Sequence, residues 1–192
     1  MLHREREQFH TNVAPREGIV EALRRQIERE GITDKLVHLC FTCDPYPTGY
    51  DSMTTREIIQ LLKETGNHVQ ILTKGDGSRD FDLLDEKDWY GVTIDGIMSD
   101  GVPRRLQALA DAAASGIKTW VSFEPVLDAQ SVLVAINAVC GVVDKVKIGK
   151  LNYHPSDINW AQFGRYAEAL CKRLGVDYYI KDSLRAEMEK NT

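Results

Sequence analysis

The chain has 192 residues, of which 43% are hydrophobic, and a formal net charge of −5 at pH 7. This length can bury one substantial core, so we expect a single domain over residues 1–192. The acidic balance gives no general attraction to nucleic acid or an anionic membrane, although a local basic rim would permit nucleic acid to bind. Every apolar run falls short of the roughly 20 residues that span a bilayer, and the amino terminus has no signal-peptide core. We therefore expect a cytoplasmic protein without membrane partners.

Predicted helices and strands alternate along the chain. Apolar residues recur at helical spacing from Glu17 to about Glu30, and Gly31 ends this helix. Alternation of this kind predicts a parallel sheet, arranged either as a doubly wound sheet or as a partial (β/α) barrel. The predicted strands lie near 36–43, 68–74, 89–95, 118–124, 144–150 and 176–180. The predicted helices lie near 54–65, 81–87, 103–115, 129–140 and 157–174, followed by a charged terminal helix.

Polar side chains follow nearly every predicted strand. This pattern favours the partial barrel, because an open sheet concentrates its ligands at one switch point whereas a barrel uses all its strand ends. We therefore predict an α/β partial (β/α) barrel of five to six parallel strands with outer helices. Any one of these residues alone could be a solvated strand end; together they predict a ligand-binding rim. The candidate site residues are Thr42, Asp44, Lys74, Thr93, Asp95, Ser122, Glu124, Lys150 and Asn152.

The predicted rim mixes both signs of charge, which suits a zwitterionic, hydroxyl-bearing ligand better than a bare phosphate or a metal. The sequence has no His pair at i, i+4 and no cluster of ligating residues typical of zinc. The strand near 144–150 is ambiguous, because Lys147 and Lys150 have opposite parity. His154 could serve as a general acid or base or be a surface histidine, and no catalytic residue is assigned.

Four cysteines in a chain of this size do not indicate a disulfide framework. Cys40 and Cys43 have the C-x-x-C spacing of some metal and redox sites. On a strand, however, that odd spacing places the two thiols on opposite faces, so we expect no shared metal. Cys140 and Cys171 lie late in predicted helices beside apolar residues, where core packing is expected.

Five strand-end motifs resemble the spore photoproduct lyase-like branch of the radical S-adenosylmethionine proteins. In chain order they are Cys-Phe-Thr-Cys-Asp-Pro-Tyr-Pro, Ile-Leu-Thr-Lys-Gly, Tyr-Gly-Val-Thr, Lys-Thr-Trp-Val-Ser-Phe-Glu-Pro-Val and Lys-Ile-Gly-Lys-Leu-Asn-Tyr-His-Pro. The similarity covers about residues 9–184. It implies a partial barrel that binds S-adenosylmethionine and a [4Fe-4S] cluster. Cleavage of the cofactor there yields a 5′-deoxyadenosyl radical that abstracts hydrogen from a substrate.

The resemblance also implies roles for individual strand ends. Thr42 and Asp44 fall where the family contacts the amino-acid end of the cofactor. Lys74 falls at the strand end that binds the cofactor's carboxylate, and Thr93 falls near its ribose. The next strand end in this comparison holds Ser122 and Glu124.

The chain departs from the family in two places: the cluster motif, and the loop 96–102, which is short beside the charged insert expected there. The cluster-binding C-x3-C-x2-C is absent from the sequence, and its strand would precede Met1. We expect either the carboxyl-terminal portion of a longer enzyme, inactive without that segment, or a degenerate member. An open barrel edge at the first strand would then be covered by residues 1–16 or by a second copy in a dimer. The alternative function is a cluster-free α/β module that binds a nucleotide-like ligand or a partner protein without radical chemistry.

Overall fold

The computed structural model describes residues 13–39, 43–95 and 101–190. Six parallel strands form one sheet whose order follows the chain, and the sheet curls into a half-barrel with surrounding helices. The predicted partial barrel is confirmed. The strands are β1 Leu36–His38, β2 His68–Thr73, β3 Trp89–Thr93, β4 Lys118–Phe123, β5 Lys145–Ile148 and β6 Asp177–Ile180. The helices are α1 Ile19–Glu30, α2 Met53–Glu64, α3 Val102–Ala114, α4 Ala129–Val139, α5 Trp160–Leu174 and α6 Asp182–Glu189.

Each strand sends alternate side chains to two different environments. On β2, Val69, Ile71 and Thr73 are buried under the helices, whereas Gln70 and Leu72 face the concave side and are half-buried. This alternation is the period of two of a β-strand. The helix-facing layer therefore forms the apolar core, and the concave face is left to carry polar groups.

A tryptophan side chain crosses the concave face and ties three strands together. The indole Nε1 of Trp120 on β4 donates a hydrogen bond to the carbonyl of Ile71 on β2, at 2.9 Å. To do so the ring passes over Gly91 on β3, where a Cβ atom would lie 2.2 Å from Nε1. Glycine at this position leaves room for the ring, and a side chain would displace it.

One predicted helix differs from the observed element. The sequence predicted a short helix over 81–87, but the chain forms a 3₁₀ helix at Ser78–Leu83. Asp76 starts it by accepting the Ser78 N–H at 2.9 Å. The next residues form a turn instead, because Asp85 accepts the Lys87 N–H and competes with helical pairing.

The outer edge of β1 has no neighbouring strand among the described residues, and half of the Leu36 surface is exposed there. Most of the segment expected to cover this edge, together with the loop after Asp95, lies outside the described residues. Covering by residues 1–16 or by a second copy of the chain stays a prediction. Among the described helices, none has the length and apolar character that crossing a membrane requires.

Two predicted core cysteines differ in burial. Cys171 on α5 is fully buried in the core, as expected. Burial raises the pKa of its thiol to about 11. Cys140 follows α4 and is half-buried, with its thiol donating to the Asn137 carbonyl at 3.2 Å. Cys43 is exposed. Cys40 lies outside the described residues, so the prediction that the two thiols point to opposite faces stays a prediction.

The close approach at Gly91 predicts a large effect of a small substitution. Gly91→Ala should lower the free energy of unfolding by roughly 1–3 kcal/mol, because its methyl group collides with the Trp120 ring. Gly141→Ala is the control, since no atom lies within 4 Å of a Cβ there. Urea unfolding followed by circular dichroism measures both. A Gly91→Ala variant as stable as Gly141→Ala would mean that the indole does not occupy this position.

Candidate functional site

The loop that follows β1 is fastened to the end of β2 by one carboxylate. Asp44 accepts hydrogen bonds from the Thr73 hydroxyl, from the Lys74 backbone N–H at 2.7 Å and from the Tyr46 N–H at 2.9 Å. These bonds assign the carboxylate an architectural role at the rim. Its predicted contact with the cofactor's amino-acid end stays a prediction, and Thr42 lies outside the described residues.

A second carboxylate, that of Asp80, holds the same loop through the side chain of Tyr46. Asp80 is fully buried and accepts hydrogen bonds from the Tyr46 phenol at 3.0 Å and from Arg56 at 2.9 Å. Arg79 donates to it as well, at 3.1 Å. Burial, reinforced by the Asp80 charge, strongly raises the pKa of Tyr46. The loop packs so closely that a Cβ on Gly75 would lie 1.8 Å from the Tyr46 carbonyl oxygen.

Two predicted rim residues meet across neighbouring strand ends. Lys74 Nζ lies 2.6 Å from Asp95 Oδ2, and half of the Lys74 side chain is exposed. Buried Arg105 on α3 donates to the Thr93 carbonyl and places its guanidinium 3.8 Å from Asp95. The Asp95 carboxylate thus lies between two cations, one fixed and one at the surface.

The other rim charges pair with residues near the carboxyl terminus. Glu124 forms an ion pair with Lys181, which follows β6. Lys150 forms one with Glu187 of α6 at 2.6 Å. The sequence interpretation missed Lys181 and Glu187 as partners. The strand-end rule applied to β6 would have found Lys181, whereas the Glu187 contact depends on how α6 packs.

The remaining predicted positions differ in exposure. Thr93 and Ser122 are buried at the carboxyl ends of adjacent strands, with Thr93 opposite Ser122 in the register. Asn152 is half-buried in the loop after β5. His154, in the same loop, is exposed, in agreement with the surface reading.

The concave face below the rim carries polar side chains that were not among the predicted site residues. His38 Nδ1 lies 3.1 Å from Gln70 Oε1, and its ring meets Trp120 edge-on with centroids 6.2 Å apart. Lys147 projects from β5 into the same face and is half-buried, which resolves the ambiguous parity of that strand. Burial lowers the pKa of Lys147, and the charge of Lys181 lowers it further.

Three potential metal ligands lie at the opposite, amino end of the sheet. His68, Asp85 and Asp88 bring one ligand atom each within 4.8 Å of one another. The ammonium of Lys63 already lies 2.6 Å from both carboxylates, and these bonds raise its pKa although burial opposes the charge. Asp88 also accepts the Val69 N–H at 2.7 Å. The cluster therefore serves to join α2 to the sheet.

An open groove of about 540 Å³ lies on the outer surface between α4 and α5, lined in part by Leu133, Val134 and Tyr166. It lies on helices, away from the converging strand ends. The groove contains none of the candidate site residues.

No protein-family model matches the chain, and no curated protein sequence does either. Among solved structures, the chain is similar to Streptococcus suis SuiB bound to S-adenosylmethionine, with 12% identity and a TM-score of 0.47, over 94% of this chain and 57% of SuiB. It is also similar to SuiB bound to the precursor peptide SuiA, with 12% identity and a TM-score of 0.46, over 96% of this chain and 61% of SuiB.

A third similar structure is the HpcH/HpaI aldolase of Desulfitobacterium hafniense DCB-2, with 15% identity and a TM-score of 0.50, over 94% of this chain and 80% of the aldolase. The chain spans about three fifths of the SuiB chains. At these identities the likeness concerns the fold. The spore photoproduct lyase-like branch is not shown by it.

The environment of His38 predicts a pH dependence. Burial lowers its pKa, the Gln70 hydrogen bond opposes this, and the charge of Lys147 lowers it further. Because the unfolded value is about 6.5, the folded state disfavours the proton. Stability should be full above that pH and decline as the pH falls towards the folded pKa.

Proton NMR titration of the His38 ring measures this pKa directly. Lys147→Met should raise it by removing the nearby charge. Lys145→Met, which removes a charge paired with Asp177 at 2.9 Å, should leave it unchanged. An equal rise in both variants would show that the effect is a general one of net charge.

Proposed function

We propose that the carboxyl rim of this half-barrel binds S-adenosylmethionine, and that the chain belongs to a radical S-adenosylmethionine enzyme of the spore photoproduct lyase-like branch. The observation that supports it is the Lys74–Asp95 pair at 2.6 Å, which lies beside the loop fastened by Asp44. Asp44 and Lys74 come from two of the motifs that carry the resemblance, and Asp95 follows the third motif by two residues. The rim therefore places the Lys74 ammonium and the carboxylates of Asp44 and Asp95 close enough together for one ligand to contact them.

The chemistry of the ligand matches these groups. S-adenosylmethionine carries a carboxylate, an ammonium, a sulfonium and ribose hydroxyls. Lys74 would pair with the carboxylate, and Asp95, released from Lys74, would accept from a hydroxyl or the ammonium. Half of Lys74 is exposed, so its side chain is free to turn towards a ligand. Glu124, which directly follows β4, offers a further hydrogen-bond acceptor.

The residues present do not fit a [4Fe-4S] cluster. The described cysteines, Cys43, Cys140 and Cys171, lie on three separate elements, and one of them is buried in the core. The sequence contains no C-x3-C-x2-C motif. In this proposal the cluster ligands belong to a segment outside the sequence given. Bound there, a cluster would supply the electron for reductive cleavage of the cofactor.

The absence of this motif favours a second candidate function. A cluster-free module would use the same rim for a nucleotide-like ligand or a partner protein, without radical chemistry. The two candidates differ in one product. A longer protein that contains the cluster segment should form 5′-deoxyadenosine from S-adenosylmethionine when it is reconstituted anaerobically with iron and sulfide and then reduced. Ligand binding without that product supports the cluster-free module.

The rim predicts a specific dependence on Lys74. NMR titration with S-adenosylmethionine should show weak binding, because the cluster iron that chelates the cofactor in this family is missing. Lys74→Met should weaken binding by about 10- to 100-fold, since a hydrogen bond to a charged group contributes roughly 1.5–3 kcal/mol. Lys87→Met, at the amino end of the sheet, is the matched control and should bind like the wild type. Binding that survives Lys74→Met would place the cofactor elsewhere.

A further inference from the structure

One row of side chains runs across the concave face of the half-barrel near its carboxyl end. The register pairs Thr93 with Ser122, Ser122 with Lys147, and Lys147 with Tyr179. In a parallel sheet, residues paired in this way point to the same face, about 4.8 Å apart from strand to strand. The row therefore presents two hydroxyls, an ammonium and a phenol in sequence on four adjacent strands.

Lys147 differs from the other lysines around it. Within residues 13–39, 43–95 and 101–190, its ammonium makes no hydrogen bond and no ion pair. Glu124 is near enough to act on its charge, but that carboxylate is bonded to Lys181. The paired lysines of this face and its rim are Lys74, Lys145, Lys150 and Lys181.

An unpaired, half-buried ammonium is unfavourable for the empty protein. It has lost part of its hydration, and Lys181 places a second positive charge nearby. The positive charge of Lys147 also reaches His38 across the face and disfavours protonation of its ring. Ser122 next to Lys147 is a buried residue, and its hydroxyl likewise makes no hydrogen bond with the described residues. A bound anion would relieve both deficits, because it accepts from the ammonium and from the hydroxyl.

We propose that Ser122 and Lys147 form an oxyanion-binding subsite on the concave face, and that it holds the phosphate of a phosphomonoester substrate. A phosphate is favoured over a carboxylate because it has more negative charge and more acceptor oxygens for the unpaired Lys147 ammonium and the Ser122 hydroxyl together. The charge of Lys181 is compensated by Glu124. Tyr179, with 43% of its surface exposed, lies beside Lys147 and offers a ring face to the rest of the substrate. This inference rests on the proposed function in one respect: the cofactor is assigned to Lys74 and Asp95, which leaves this row to the substrate.

The probe is inorganic phosphate, titrated into the full chain by NMR with the backbone amides around β4 and β5 as reporters. Lys147→Met should weaken phosphate binding by at least about 10-fold, as expected for loss of a hydrogen bond from a charged group. Ser122→Ala should weaken it by about 2- to 10-fold. Acetate at the same ionic strength should bind the wild type more weakly than phosphate does.

Lys145→Met is the matched control. It lies on the same strand and face, two residues earlier, and removes the same formal charge, but its ammonium is paired with Asp177. Phosphate affinity should stay within about twofold of the wild type in this variant. Thermal unfolding of each variant checks that it folds, and Ser122→Ala tests the site without a change in charge if Lys147→Met does not fold.

Three outcomes overturn the proposal: phosphate binding unchanged in Lys147→Met, an equal loss in Lys145→Met, or acetate binding as tightly as phosphate. S-adenosylmethionine separates this inference from the proposed function. Its binding should depend on Lys74 and stay within about twofold of the wild type in Lys147→Met. If cofactor binding requires Lys147, the row belongs to the cofactor and the substrate assignment is wrong. If Lys74→Met leaves cofactor binding intact while phosphate binding still requires Lys147, the proposed function fails and the subsite remains.

Discussion

Parallel pairing of six strands in chain order is the constraint on which the rest of this structure depends. Because every strand points the same way, all their carboxyl ends meet at one rim. Side chains that are about 30 residues apart in sequence thereby become neighbours, as Asp44 and Lys74 do. The same pairing brings hydroxyls and an ammonium into one row on the concave face. Both proposed sites follow from this one geometry.

The two ends of the sheet use their charges differently. At the amino end, Lys63 and the buried Asp88 neutralise each other and hold a helix to the sheet. At the carboxyl end, Asp44 and Asp80 fix a loop, while Lys74 remains half exposed. A buried charge that is paired and hydrogen-bonded is compensated within the fold, whereas one that is exposed or unpaired remains available to a ligand. This distinction separates scaffold from candidate site.

Lys147 is the half-buried lysine of the concave face, and it differs from the lysines around it. Its neighbours on the sheet and its rim pair with carboxylates, so their charges are compensated within the fold. Its own ammonium is partly dehydrated and uncompensated among the described residues. This arrangement raises the free energy of the protein without a ligand, and binding of an anion would lower it. In the two proposals, the rim binds a zwitterionic cofactor and the concave face binds an anionic substrate.

The sequence by itself determined the element order and the parallel half-barrel, because apolar strands, helical periodicity and glycine helix ends are local signals. It also predicted that Lys74, Thr93, Asp95 and Ser122 share one end, since strand polarity follows from chain order. It predicted the wrong helix near 81–87, where Asp76 and Asp85 compete locally for backbone N–H groups. Only the tertiary structure decided which charges are paired, because ion pairs such as Lys150–Glu187 join residues 37 positions apart through helix packing. For the same reason, only the curled sheet showed that Lys147 is half-buried on the face that also carries His38 and Trp120.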